Sequence, residues 1–381
     1  MNLLMISGDT SAAQGERGAF YNTLSEFARY WDRVDVITPP IKDLSGFQSL
    51  IGLANVFFHP SSLSKALHPK FILRRGQELA HERRYDLIIS HDYGFFLNGI
   101  GAAWLSKKIG VPYISEIHHV EGHPRAATLR ERLQPTLTWL YVQWAKHRAL
   151  GFRIVNEREL KPLLKRWGIP DHQLHLLYSL YLDFDVFKPA ADLRNFQDSG
   201  SLYDAIFVGR LTPNKLPFLF ISTLVAANPA LGRKTRALIV GQGSMAKEVK
   251  KFVRDLHLDV EFIDWVESPH DLANLYRQAK CLICTSYSEG GPRVVAEALA
   301  CGVPVITTRV GLAAELVRDG ENGFLCDWNA AELGQRLVQI ISGDSLRIRL
   351  SENAPRAVQR FEKKRVIKEY AERYQRLLRD A

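Results

Sequence analysis

The sequence predicts an α/β protein built from two doubly wound domains, each with its own parallel sheet. The chain has 381 residues, more than one ordinary hydrophobic core accommodates. Two stretches, starting near Asn2 and near Tyr203, each run from an apolar strand through a glycine-bearing loop into a helix and a second strand. That order is typical of βαβ units with parallel strands. The polar, aperiodic segment 190–201 between them predicts a linker, so the domains are assigned to residues 1–190 and 191–364.

In the first half, apolar runs predict strands that alternate with amphipathic or apolar helices. The predicted strands are 2–7, 34–38, 85–90, 111–117, 152–156 and 173–177, and the predicted helices are 19–30, 95–109, 124–150 and 157–167. Residues 41–84 mix apolar, basic and helix-breaking residues, which predicts helices and loops there. In open α/β sheets, ligands bind beyond the carboxyl ends of the strands. His91, His118 and His119 follow such strand ends and are candidate site residues.

The second half repeats the pattern. Its predicted strands are 203–208, 236–240, 260–263, 280–285 and 303–308, and its predicted helices are 218–227, 245–256, 269–278, 292–301 and 354–379. Gly241-x-Gly243 follows a strand, with Asp264 further on, which imitates a dinucleotide fingerprint. It stands on the second strand of its domain and not on the first, so nicotinamide or flavin binding is disfavoured. Gly241 is then interpreted either as part of a tight turn or as a position where the backbone comes close to another ligand.

The composition limits the classes of function. Hydrophobic residues make up 46% and charged residues 24% of the chain, as in ordinary globular proteins. No apolar run approaches the roughly 18 residues of a membrane span. The N-terminus lacks a basic lead-in, so we expect no secretory signal. Four cysteines in this length favour a reducing, cytoplasmic compartment. No zinc-type ligand spacing and no P-loop motif occurs, so no metal or cofactor is expected.

The net charge of +9 is concentrated in part between residues 59 and 84. There, six basic residues stand against Glu78 and Glu82: Lys65, Lys70, Arg74, Arg75, Arg83 and Arg84. Such a surplus attracts an anionic membrane, nucleic acid or a phosphorylated substrate. The alternative is a solvated helix face, and the sequence leaves both open.

The segment 286–325 carries the clearest chemistry. Glu289, Gly290 and Gly291 form a turn before a helix that is predicted to open at Pro292, and Glu297 lies inside that helix. Free N–H groups at a glycine turn and a helix N-terminus attract a phosphate. A carboxylate on either side would accept hydrogen bonds from hydroxyl groups. A phosphate between sugar-like hydroxyls describes a nucleotide-sugar.

Four motifs in this half resemble those of the retaining GT-B-fold glycosyltransferases of family 4. Glu289 and Glu297 form an E-x7-E pair, and Gly209, Arg210 and Lys215 stand in a G-R-L-x-x-x-K motif. The other two are A-C-G-V-P-V-I and G-x-x-x-E-x-V-x-D-G-x-N-G, which follow in order. The resemblance covers nearly the whole chain. It implies two Rossmann-like domains facing across a cleft, with a C-terminal helix, about 365–381, that crosses back onto the first domain.

The resemblance also implies roles for individual residues. Arg210 and Lys215 would neutralise the donor diphosphate, Glu297 would bind the nucleotide ribose, and Glu289 would lie near the hydroxyls of the donor sugar. His118 would lie near that sugar and help to stabilise the transition state. Arg293 would be an extra cation near the phosphates, and His91 and His119 would be further residues of the cleft. The remaining substrate-binding candidates are Gly18, Gly209, Gly241, Val266, Gly290 and Gly291.

Several positions depart from the family pattern. Ala19 follows Gly18 where a second glycine is usual, Leu216 follows the phosphate lysine in place of glycine, and 179–183 reads S-L-Y-L-D. These departures leave the donor base, the donor sugar and the loop geometry open.

The function that the resemblance implies is a hexosyltransferase that uses a UDP- or GDP-linked sugar, with retention and without a metal. The acceptor would be a glycan or lipid-linked molecule of cell-envelope or exopolysaccharide synthesis, bound on the first domain. The enzyme would be cytoplasmic, with a peripheral contact to the inner face of an anionic membrane through 59–84 or the helix near 125–148. No nucleic-acid partner is expected. The alternatives are a sugar-nucleotide epimerase of the same fold and a non-catalytic sugar-nucleotide-binding protein.

Overall fold

The computed structural model describes residues 1–41, 53–190 and 202–380. Seven parallel strands form one sheet in the first half. Their bounds are β1 (Asn2–Ile6), β2 (Arg33–Thr38), β3 (Val56–Pro60), β4 (Leu87–His91), β5 (Tyr113–Ile117), β6 (Gly151–Ile154) and β7 (Leu174–Leu176). Their spatial order is β3-β2-β1-β4-β5-β6-β7. The chain therefore starts in the middle of the sheet and winds outwards in both directions, with the switch point between β1 and β4.

A second parallel sheet is built from the other half. Its strands are β8 (Ala205–Val208), β9 (Arg236–Val240), β10 (Asp259–Ile263), β11 (Leu282–Cys284), β12 (Val305–Thr308) and β13 (Gly323–Cys326). The order β10-β9-β8-β11-β12-β13 again places a switch point in the middle, between β8 and β11. Most of these strands are buried along their length, as expected for parallel strands covered on both faces. The predicted architecture of two doubly wound sheets is confirmed.

Helices cover both faces of each sheet. The first half contains α1 (Ala19–Phe27), α2 (His68–Glu82), α3 (Leu97–Ile109), α4 (Leu129–Ala145) and α5 (Leu160–Arg166). The second half contains α6 (Pro217–Leu231), α7 (Ala246–Asp255), α8 (Pro269–Arg277), α9 (Arg293–Ala300), α10 (Ala313–Leu316), α11 (Ala330–Ser342), α12 (Asp344–Asn353) and α13 (Lys363–Asp380). Within the described residues, none of these helices is both long and apolar enough to cross a lipid bilayer.

Three elements differ from the sequence-based expectation. Residues 41–84 contain the edge strand β3, which pairs with β2 and ends at Pro60; a proline is tolerated there because an edge strand has one unpaired side. Helix α4 begins later than residue 124 because the Thr128 side chain caps its first turn, accepting from the Glu131 N–H at 3.2 Å, and the helix ends at Ala145. The run 354–379 is not one helix. Two short 3-10 turns, Ala354–Ala357 and Gln359–Phe361, precede α13. The linker expected over 191–201 lies outside the described residues.

The C-terminal helix crosses back onto the first domain, as predicted. Two backbone hydrogen bonds hold the start of α13 against the first domain. The Leu182 N–H donates to the Phe361 carbonyl at 2.7 Å, and the Lys363 N–H donates to the Leu182 carbonyl at 3.0 Å. Further along, the Tyr370 ring stacks on Phe27 of α1, with ring centroids 4.4 Å apart. One hydrophobic core therefore runs from α1 through α13 into the second domain.

Candidate active site

A cavity of about 740 Å³ lies at the carboxyl ends of the strands, where both domains meet. The first domain contributes its strand-end residues, including His91, His118 and His119. The second domain contributes Arg210 and Arg293. Five of the residues that the sequence singled out thus share one cavity, and two of them are cations from the opposite domain.

The loop after β8, which contains Arg210 and Lys215, is hydrogen-bonded to the loop after β11, which contains Glu289. The Lys215 ammonium donates to Glu289 Oε1 in an ion pair. Beside it, Thr285 Oγ1 donates to the Lys215 carbonyl at 2.8 Å, and Asn214 Nδ2 donates to the Ser288 carbonyl at 2.9 Å. The cationic motif and the first carboxylate of the E-x7-E pair therefore form one unit. Because they are already paired, a ligand anion would compete with Glu289 for Lys215.

Glycines allow the loops at the ends of β8 and β9 to meet. Gly209 and Gly241 have φ values of +154° and +139°, a region that side chains rarely adopt. A Cβ on Gly241 would lie 2.1 Å from the Gly209 carbonyl oxygen. Gly241 is thus required by the contact with Gly209, whatever else binds there. Its contact with a ligand stays a prediction.

The Glu289–Gly291 loop also touches the first domain. A Cβ on Gly290 would lie 2.2 Å from the His118 carbonyl oxygen. Asn156 Nδ2 donates to the Gly290 carbonyl at 3.0 Å, and the Ser288 hydroxyl donates to the Val120 carbonyl at 3.3 Å. A glycine at 290 thus lets the second domain reach the strand end that carries His118. Gly291 is less constrained, since a Cβ there would make only ordinary contacts with Leu312.

Glu297 is buried on α9 with both oxygens occupied. Arg293, one turn earlier, donates from Nε to Oε1 at 2.9 Å, and the Tyr276 hydroxyl donates to Oε2 at 3.0 Å. Burial raises the pKa of Glu297, while Arg293 and the Tyr276 hydroxyl act in the opposite direction. Since both oxygens already have donors, a ribose hydroxyl would have to share or displace one of them. Arg293 is the more accessible of the two donors, because it lines the cavity and its side chain is 38% exposed, whereas Tyr276 is buried.

Glu116, which the sequence analysis did not single out, supports the histidines. This carboxylate is fully buried at the end of β5. Its Oε1 accepts from the Tyr370 and Tyr374 hydroxyls of α13 at 2.5 and 2.8 Å. Its Oε2 accepts from Arg153 Nη1 at 2.8 Å and lies 3.3 Å from His118 Nε2. Two tyrosines from the end of the chain therefore hold the carboxylate that orients His118.

The charge states of Glu116 and His91 follow from their burial and from the charges around them. Burial alone would raise the pKa of Glu116, but Arg153, His118 and His91 bring it well below its usual range, so the carboxylate is ionised. Burial lowers the pKa of His91 to about 4, so that ring is neutral at pH 7. The His118 side chain is 41% exposed, unlike Glu116, and faces the cavity. His118 is thus the accessible member of the group.

The remaining candidates lie outside the lining of this cavity. Gly18 is the residue before α1, and its neighbour Ala19 lines the cavity instead. Val266 packs partly against the core, while Trp265 beside it is 76% exposed. No set of three or more His, Cys, Asp or Glu side chains within residues 1–41, 53–190 and 202–380 is arranged to hold a metal ion.

Two family models match the chain, one for each domain. The model described as Glycosyltransferase Family 4 matches residues 20–179, and that described as Glycosyl transferases group 1 matches residues 194–357. A D-inositol 3-phosphate glycosyltransferase of Acidothermus cellulolyticus is 29% identical over 66% of this chain and 58% of its own length. A second such protein, of Catenulispora acidiphila, is 31% identical over 65% of this chain and 60% of its own length. The matches thus span somewhat under two thirds of these two relatives.

Solved structures share the fold over the whole chain. Anabaena Alr3699/HepE in complex with UDP and glucose has a TM-score of 0.75 and 22% identity, covering 99% of this chain and all of that one (100%). Sucrose-phosphate synthase of Thermosynechococcus elongatus has a TM-score of 0.77 and 19% identity, with 100% of both chains covered. The epimerase and binding-protein alternatives are not favoured by these matches. The two family models together show that the chain belongs to the family 4 glycosyltransferases, with the GT-B fold.

Proposed function

We propose that this protein is a retaining hexosyltransferase that moves a sugar from a UDP- or GDP-linked donor to a glycan or lipid-linked acceptor. The observation that carries the proposal is the cavity in which His118 of one domain faces Arg210 and Arg293 of the other. Transfer of a glycosyl group from a nucleotide leaves a diphosphate whose negative charge develops in the transition state. Fixed cations beside it stabilise that charge most effectively in a site shielded from water.

In the proposed reaction, the acceptor hydroxyl oxygen bonds to the anomeric carbon as the bond from that carbon to the diphosphate breaks. The acceptor adds on the same face of the sugar that the diphosphate leaves, so the configuration is retained. The acceptor proton passes to the departing phosphate oxygen, and the nucleoside diphosphate leaves. Binding of the diphosphate to Arg210 would draw Lys215 away from Glu289, with which it is paired in the structure. Glu289 would then be free to accept from the sugar hydroxyls. No metal is invoked, because the cations belong to the chain itself.

The names of relatives support a class of acceptor rather than one molecule. Two relatives are named for D-inositol 3-phosphate. Another, from Campylobacter jejuni, is named for a sugar chain on diphospho-undecaprenol and is 30% identical over 43% of this chain. We place the acceptor on the first domain, at the cavity wall formed by strand ends of β1 and β4. Synthesis of an envelope or extracellular polysaccharide would use such acceptors.

A thermal-shift screen against UDP, GDP, ADP and their sugars tests the donor. A ligand that binds only the folded state raises the melting temperature by mass action, by an amount that increases with its concentration over Kd. We expect one base to give the largest shift and its sugar nucleotide to be turned over with an acceptor mixture. The Lys247→Ala variant, an exposed lysine on α7, serves as the matched control and should keep the shift. No shift with any nucleotide would contradict the proposal.

Helix α4 is the surface that we propose for membrane contact. Leu129, Leu133 and Leu140 are 77%, 66% and 52% exposed, and Arg130 and Arg132 stand among them. Apolar side chains flanked by arginines match an anionic bilayer surface. In the 59–84 segment, by contrast, Glu78 and Glu82 pair with Arg74, Arg75 and Arg83. The protein would then work at the cytoplasmic face of the membrane.

Co-sedimentation with vesicles containing phosphatidylglycerol tests this surface. The Leu129→Ser/Leu133→Ser variant should bind several-fold less protein to the vesicles, because it removes two apolar groups worth about 1.5–3 kcal/mol each when fully buried. Added salt should weaken binding of the unmodified protein. The control is Leu256→Ser, which changes an exposed leucine of the second domain. Equal binding by all three proteins, or no binding at low salt, would rule out α4 as the contact.

A further inference from the structure

A second cavity, of about 560 Å³, lies where three parts of the chain meet. They are the segment 157–158 after β6, the segment 315–318 at the end of α10, and the segment 356–365 that leads into α13. Its described lining shares no residue with the cavity that contains His118. Two carboxylates line it, those of Glu157 and Glu315. Five arginines also line it: Arg158, Arg318, Arg356, Arg360 and Arg365.

The two carboxylates are already engaged with other donors. Glu315 Oε1 accepts from the backbone N–H groups of Glu157 and Arg158 at 2.5 and 2.9 Å. Glu157 Oε1 accepts from the Lys161 ammonium at 3.3 Å. Glu315 therefore fastens the second domain to the first domain through backbone groups. Within the described residues, neither carboxylate forms an ion pair with the arginines that line the cavity.

Three of the guanidinium groups have no carboxylate partner within the described part of the chain. Arg158 donates to the Ala314 carbonyl at 2.9 Å, and Arg356 donates to the Asn353 side-chain oxygen at 3.4 Å. The Arg360 guanidinium lies over the rings of Tyr178 and Phe361, 5.0 and 4.8 Å from their centroids. Each guanidinium has five N–H donors, so most remain available. The other two arginines, Arg318 and Arg365, pair with glutamates outside the cavity.

We propose that this arginine cavity binds a phosphate-bearing ligand, at a site separate from the donor cleft. Planar guanidinium groups match phosphate oxygens in paired hydrogen bonds, and their mutual repulsion falls when an anion lies between them. The volume exceeds that of a single phosphate, so the cavity accommodates a pyrophosphate or an organic phosphate. Because Arg158 belongs to the first domain and Arg318 to the second, the bound ligand would link the two domains.

The phosphate could be carried by a free molecule or by a lipid headgroup, and the same arginines would bind either. Two probes separate these sources, and both are applied to the Leu129→Ser/Leu133→Ser variant, which lacks the vesicle contact proposed for α4. Inorganic pyrophosphate represents the free molecule, and vesicles of phosphatidic acid in phosphatidylcholine represent the headgroup. Binding of pyrophosphate without retention on vesicles identifies a free phosphate ligand. Retention on the phosphatidic acid vesicles that pyrophosphate reverses identifies a headgroup. Either result supports the site.

The test uses the full chain carrying Arg210→Ala, which weakens phosphate binding in the donor cleft. Calorimetry should detect pyrophosphate binding in this protein, and the added pair Arg356→Ala/Arg360→Ala should weaken that binding by about tenfold or more, since it removes two donors of charge-assisted hydrogen bonds. The control pair is Arg349→Ala/Arg376→Ala, two exposed arginines that do not line either cavity. It should bind as before.

Two outcomes would overturn the site. One is that pyrophosphate and the vesicles both fail to bind at low salt. The other is that the Arg356→Ala/Arg360→Ala protein binds as tightly as the control pair. Both arginines are exposed, so their loss should leave the fold intact, which circular dichroism checks. Nucleotide binding, measured separately in the protein with Arg210 intact, tests the proposed transferase function independently of this site.

Discussion

Turnover is expected to fall by about 10²- to 10³-fold when Arg210 or Lys215 is replaced by alanine, the range for loss of one group that stabilises transition-state charge. Arg210 lines the cavity, and Lys215 is 17% exposed and paired with Glu289. Initial rates give kcat and KM, and calorimetry gives the affinity for the nucleoside diphosphate. Both should change, because the diphosphate is present in the ground state and in the transition state.

The Lys215 variant carries a second effect that separates it from the Arg210 variant. Without its partner, the Glu289 carboxylate would repel the diphosphate. Adding Glu289→Gln should therefore restore part of the nucleotide affinity lost in Lys215→Ala, a coupling that a double-mutant cycle measures. Lys247→Ala again serves as the control. Unchanged nucleotide affinity in both single variants would remove Arg210 and Lys215 from the donor site.

The free energy of unfolding should fall by about 3–5 kcal/mol when Glu116 is replaced by leucine, the cost of leaving a buried charge without its partner. The stranded group is Arg153, whose side chain is 5% exposed. Urea unfolding measures the loss. The double variant Glu116→Leu/Arg153→Met removes both charges and should recover part of the loss, because no unpaired ion remains. Recovery stays incomplete, because the buried Tyr370 and Tyr374 hydroxyls lose their acceptor.

Milder changes test what Glu116 does for His118. Tyr370→Phe/Tyr374→Phe keeps both rings and the Glu116 charge but removes two donors from Oε1. If Glu116 positions His118, kcat should fall while KM for the donor changes little. The NMR chemical shifts of the His118 ring should also move. A variant with lower stability but unchanged kcat and unchanged His118 chemical shifts would leave these tyrosines with a structural role alone.

Strand positions were predictable where the physical signal was local. The run Arg236–Val240 was predicted with the bounds that the structure has, because its apolar residues stand between clear breakers. The strand Val56–Pro60 was missed, since its pattern of aromatic, histidine and proline residues is not that of a buried strand. What defines it is pairing with β2, and His59 Nε2 lies 2.7 Å from the buried Asp35 carboxylate.

The sequence motifs predicted which residues belong to the candidate site, but not which side chains form hydrogen bonds and ion pairs with them. Arg293 and Glu297 are four residues apart on one helix, and such a pair is visible in a sequence. The sequence analysis treated Arg293 only as an extra cation. Glu116 could be noticed only as a charge inside an apolar strand. Its tyrosine donors lie 254 and 258 residues away, a distance that no spacing rule covers.

The return of α13 to the first domain has a consequence for the order in which the protein is made. Residues 1–190 leave the ribosome well before Tyr370 and Tyr374 are synthesised. Until then, Phe27 lacks the ring that stacks on it, and the Glu116 carboxylate lacks two of its hydrogen-bond donors. The domain that is translated first is therefore completed last. A chain that stops short of α13 would contain every strand of both sheets and still leave a buried charge uncovered.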